Sequence, residues 1–104
     1  MDSRPVSRAS GTGIGTGGTA VAIPDGSASP WYAATQFKLW VSAEAFVGLG
    51  GSSSPAAAST TNSVIQQAGT EEVYTIPGWA EDLQDFVWIY AASGTTDYDL
   101  SFFG

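Results

Sequence analysis

The sequence predicts an all-β domain, a small antiparallel β-sandwich or jelly-roll-like barrel with an extended N-terminal arm. Three observations carry that expectation. Beyond Gly18, apolar residues recur with a period of two rather than 3.6. Turn sequences such as Pro24-Asp25-Gly26 and Pro77-Gly78 punctuate the alternating stretches. A chain of 104 residues, 43% hydrophobic and 12% aromatic, can build one core and little more.

The elements follow in order. Residues 1–18 are rich in Gly, Ser and Thr, with Val6 and Ile14 as their only sizeable aliphatic side chains after Met1. Such a segment cannot bury enough apolar area to order itself, so it reads as a flexible arm preceding a β domain over 19–104. Something must hold it for it to be ordered, most simply a neighbouring chain, the alternatives being a crystal contact or its own domain. "TAVAI" (19–23) is a short apolar strand stopped by Pro24. In "TQFKLWVSA" (35–43), Phe37, Leu39 and Val41 alternate with Lys38, Trp40 and Ser42. "EAFVGLG" (44–50) is the next strand, "NSVIQQA" (62–68) a weaker one, and "EEVYTI" (71–76) is rich in strand formers. "DFVWIYAA" (85–92) places Val87 and Ile89 on one face and Phe86, Trp88 and Tyr90 on the other. "YDLSFF" (98–103) alternates again. Breaker-rich loops are expected at 50–62, 77–84 and 93–97, and the only helix candidates are "PAAAS" and "WAEDLQDF".

Gly13-Ile14-Gly15-Thr16-Gly17-Gly18 fits G-x-G-x-x-G, a pattern that serves dinucleotide binding between a strand and a helix N-terminus. Here a polar arm precedes it and a β-branched strand follows, and the nearest acid, Asp25, lies in a turn. The stretch reads as a hinge, and no cofactor is expected.

Lys and Arg total 3 against 10 Asp and Glu, giving a net charge of −7. From Ala9 onward nine acids face Lys38 alone. Such a body repels phosphate backbones, so nucleic acid is not an expected partner. No apolar run approaches the ~20 residues of a membrane span, and "MDSRPVSRAS" has no apolar core of a secretory signal.

The chain has no Cys and no His. Thiolate metal sites are thereby excluded, as are His-activated nucleophiles and His ligands, and no enzyme activity is expected. Asp97 and Asp99 share a strand face and with loop carbonyls are a conceivable cation site, although two such donors are few for Ca²⁺ and solvated acids are the simpler reading. The aromatics are the distinctive feature. Large side chains on both faces of 86–90 mean that the strand is buried on both sides, or that one aromatic row meets another subunit. Trp40, set opposite Phe37, Leu39 and Val41, poses the same alternative.

Taken together, "TAVAIPDG", "TQFKLWVSAEAFVGLGG", "EEVYTIPGW" and "VWIYAASGTTDYDLSFF" resemble, as a pattern of strands and turns, the small virion proteins of tailed bacteriophages, the decoration or cement type. The resemblance implies a protein of the capsid surface that stabilises the shell, with the major capsid protein and copies of itself as partners, in a homo-oligomer. Arg4, Val6, Arg8 and Ile14 of the arm, with Trp40, Phe86, Trp88 and Tyr90, are the expected contact residues. Alternatives are a carbohydrate-binding module or adhesin, with Trp31, Tyr32, Trp79 or Trp88 as stacking platforms, and a phage head-tail or tail accessory protein.

Overall fold

A computed structural model describes residues 5–24, 34–76 and 85–104. They form eight strands: β1 (Pro5–Ile14), β2 (Thr19–Ala22), β3 (Gln36–Val41), β4 (Ala45–Gly50), β5 (Val64–Gln66), β6 (Glu71–Thr75), β7 (Phe86–Ala91) and β8 (Thr96–Phe103). A front sheet has the order β1-β8-β3-β6 and a back sheet the order β2-β7-β4-β5.

The pairings are nested. β1 pairs with β8, β2 with β7, β3 with β6 and β4 with β5, all antiparallel. The chain is thus one long hairpin with its tip at 51–63. It is rolled so that successive strand pairs fall alternately in the front and back sheets. Two further antiparallel pairings, β3 with β8 and β4 with β7, join the pairs within each sheet. This is the jelly-roll arrangement. Both sheets stay open at their edges, so the sandwich form of the expected fold is the one adopted.

The seven strands expected from alternation correspond to β2–β8, with β8 beginning at Thr96, inside the loop expected at 93–97. The "PAAAS" segment is irregular, and among the described residues there is no helix. "WAEDLQDF" lies outside the described residues up to Gln84, and its Phe86 opens β7.

The first strand departs from expectation. Over Pro5–Ile14, residues expected in a flexible arm form an edge strand of the domain's own front sheet, in register with β8 from Pro5↔Phe103 to Ile14↔Thr96. Main-chain pairing supplies the order that these side chains cannot supply alone. Register shifts at Pro5/Ser7 and Gly11/Ile14 re-aim the strand, so that Val6, Ala9 and Ile14 all pack against the core.

Between the sheets, Phe37, Leu39 and Val41 of β3 and Leu100 and Phe102 of β8 meet Val47 of β4 and Val87 and Ile89 of β7, each at most 3% exposed. At about 25 cal/mol per Å² of apolar surface removed from water, this interdigitated layer is the main source of stability.

The outer face of the back sheet is covered too where β7 presents Trp88 and Tyr90. The 51–63 connection folds back across it: the Trp88 indole N–H donates to the Ser52 carbonyl at 2.8 Å and the Tyr90 hydroxyl to that of Ala56 at 2.6 Å. Asn62 ties the connection to itself, donating to the Ala57 carbonyl and accepting from the Ser59 N–H, both at 2.9 Å. The roof needs glycine beneath it. A Cβ on Gly50 would lie inside the Trp88 indole, and one on Gly18, whose φ is 83°, would press on the Tyr90 ring.

Candidate interaction surfaces

The expected contact residues fall into four groups. Arg4 lies outside the described residues, as do Trp31, Tyr32 and Trp79. Val6 and Ile14 are half-buried against the core. Trp88 and Tyr90 are buried under the chain's own roof, at 8% and 0% exposure, and Phe86 is half-buried in the same strand. Of the two readings of that aromatic row, the strand is buried on both sides. Arg8 and Trp40 are exposed, and they share the outer face of the front sheet.

The pleat explains why. Phe37, Leu39 and Val41 point inward, so Lys38 and Trp40 point outward. Across the strands, Trp40 stands opposite Asp99 on one side and Glu71 on the other. Each acid meets a cation from the same face. Arg8 grips Asp99 in a fork, Nε to Oδ1 at 2.8 Å and Nη2 to Oδ2 at 2.5 Å, and Lys38 Nζ lies 3.8 Å from a Glu71 oxygen. The result is a sheet face on which the indole stands between two ion pairs.

The fork with Arg8 also settles what Asp99 does. Hydrogen bonding to the guanidinium, helped by the charges of Arg8 and Lys38, holds its carboxyl below the ordinary carboxylate range. Asp97 accepts from the Gly13 N–H at 2.9 Å. Among the described residues, no group of three or more Asp or Glu is placed to hold a metal ion.

A pH prediction follows. Because the folded-state value of Asp99 is depressed, its contribution is present above the ordinary carboxylate value and lost as pH falls through the folded-state value. Asp99→Asn is expected to weaken the protein slightly at neutral pH and to flatten its loss of stability in acid. Urea midpoints measured at neutral pH and at steps below pH ~4 check this. An unchanged acid limb in the variant would count against the pair. The effect is small because the pair is exposed to solvent.

Sequence reasoning missed two features. One is Gln66, 1% exposed. Its amide donates to the Leu39 carbonyl at 2.7 Å and that of Thr70 at 3.1 Å, and its oxygen accepts from the Tyr74 hydroxyl at 2.9 Å. Burial, with a smaller push from Glu72, raises the Tyr74 phenol, which keeps it protonated as the donor. Nothing in "VIQQA" distinguishes this glutamine from its neighbour. The other is β5, where Val64 and Ile65 are exposed. A signal for it existed: residues 45–70 contain no charged side chain.

The described residues form an eight-stranded jelly-roll sandwich whose back sheet is roofed over β7 and whose front sheet exposes Trp40 on its outer face. Comparison of the chain with protein-family models, with curated proteins and with solved structures finds no match in any of the three.

Proposed function

We propose that this protein is a structural component of a virion, of the type that decorates or cements a phage capsid, and that it docks on the shell through the outer face of its front sheet. One observation carries the reading. The chain covers Trp88 and Tyr90 on the outer face of its back sheet with its own 51–63 connection, and leaves Trp40 on the front face set between the Arg8–Asp99 and Lys38–Glu71 pairs. An exposed indole flanked by charges that fix orientation suits a protein–protein contact. The jelly roll recurs in capsid and lectin domains, which is compatible with this role without establishing it. The mechanism is mass action: apolar area buried only in the assembled shell stabilises the shell.

The same Trp40 supports a second reading, a carbohydrate-binding module in which the indole stacks on a sugar ring. One experiment separates them. Full-length protein and the Trp40→Ser and Lys38→Glu variants are sedimented with purified undecorated capsids and applied to a glycan array. The cement reading expects the native chain to pellet with shells, with both variants remaining in the supernatant. Glycan capture that Trp40→Ser abolishes, with no shell binding, replaces it by the second reading.

A further inference from the structure

Val64 and Ile65 are consecutive in β5, so they point to opposite faces of the back sheet, yet they are 56% and 59% exposed. An ordinary strand over a core shows water only one of every two side chains. Val64 borders a cleft of about 340 Å³ between the sheets, beside Phe37 and Tyr74. An outer groove of about 510 Å³ beside Phe46 and Ala58 is bordered by both Ile65 and Val64. Among the described residues, β5 has β4 on one side and no strand on the other.

A partner filling the inner cleft alone would leave Ile65 wet. A strand added to the free edge covers both at once, and also pairs with the main-chain rim of β5. The other three edges are ill-suited to this. β6 carries Glu71 and Glu72, β1 carries Arg8 and two register shifts, and Val21, the largest side chain of β2, packs on the core. β5 has neither charge nor proline, and it lies in the uncharged stretch 45–70 of a chain whose net charge is −7. Two acidic copies repel except where they meet through such a surface, and the strand that best matches an uncharged β5 is another β5.

We propose that β5 pairs antiparallel with β5 of a second copy about a two-fold axis, joining two back sheets of four strands into one continuous sheet. This deepens the assembly reading by naming a second partner surface. Its test uses no shell, so failure here is distinguishable from failure of the docking experiment above.

The test is sedimentation equilibrium of the full-length protein over a concentration series. A monomer–dimer equilibrium is expected. Raising salt from ~0.01 M to ~0.15 M strengthens it, because the Debye length falls from ~30 Å to ~8 Å and screens repulsion between the acidic bodies. Ile65→Lys is expected to be monomeric with an unchanged far-ultraviolet circular dichroism spectrum. The chain has no cysteine, so Ile65→Cys and Val73→Cys give single-thiol proteins. Residues opposed across antiparallel strands bring Cβ atoms within disulfide reach. Ile65→Cys therefore oxidises to a covalent dimer several-fold faster than Val73→Cys, whose site on β6 is equally open at 61% exposure. A monomer at every concentration overturns the proposal. So does a dimer that survives Ile65→Lys, one that weakens with salt, or cross-linking at equal rates from the two positions.

Discussion

Replacing Trp88 with alanine is expected to lower the free energy of unfolding by about 3–5 kcal/mol, the usual range for removing a large buried aromatic. The side chain is 8% exposed, and its indole N–H is bonded to the Ser52 carbonyl. Truncation would leave a void over the back sheet and free the 51–63 connection from one of its two hydrogen bonds to β7. A domain of this size has a total stability on the order of 5–15 kcal/mol, so the loss removes a large part of it. Trp40→Ala is the control. That indole is 37% exposed on the front face, and its loss should cost markedly less. Urea denaturation of the two variants measures the difference. Limited proteolysis adds a local readout, since cleavage within 51–63 should accelerate in Trp88→Ala and not in Trp40→Ala. Equal losses in the two variants would mean that the roof contributes nothing to stability.

Gln66→Leu is expected to cost about 2–5 kcal/mol although it puts an apolar side chain of similar length in a buried position. Each polar group left without its partner in the interior costs about 1–3 kcal/mol. This substitution removes the acceptor of the Tyr74 hydroxyl and the amide donor to the Leu39 carbonyl, whereas the Thr70 carbonyl keeps the Val41 N–H at 3.3 Å. Gln66 lies in the back sheet, whereas Leu39 and Tyr74 lie in the front sheet, so the amide is a polar tie between the two layers. A double-mutant cycle tests the account. Tyr74→Phe should be damaging alone, and should cost less in the Gln66→Leu background, where the hydroxyl has already lost its acceptor. Strictly additive losses would show that the two groups act independently.

The strands that could be read from the sequence are those whose alternation matches their surroundings. In β3, Phe37, Leu39 and Val41 are buried while Lys38 and Trp40 face outward, and β8 repeats the pattern with Tyr98, Leu100 and Phe102. That period is local, so it survives without knowledge of any partner strand. β1 shows the opposite case. Ser, Thr and Gly dominate it, and its order comes from a ladder to β8 at the far end of the chain. A ladder of main-chain groups has no side-chain signature. β7 is intermediate. Its sequence shows that both faces need cover, but only the folded chain shows that the cover on one face is the 51–63 connection.

The surfaces divide in the same way. Arg8 and Trp40 were readable as contact residues, yet their exposure on a common face depends on β8 lying between β1 and β3. Trp88 and Tyr90 are as aromatic as Trp40, and they differ from it because a neutral connection of small residues can lie flat upon them. Gln66 resembles Gln67 in sequence and became a buried tie through its place in the register.

The turns expected at Pro24-Asp25-Gly26 and Pro77-Gly78 lie outside the described residues from Asp25 and from Pro77, while the period of the strands, the acidity of the body and the lack of histidine and cysteine side chains are fixed by the sequence by itself. These follow from the identity and spacing of near neighbours. The tertiary structure alone decided that β1 belongs to the domain, which aromatic row is roofed, and which edge is left uncovered. Each of these depends on contacts between residues far apart in the chain, formed as the long hairpin rolls into two sheets.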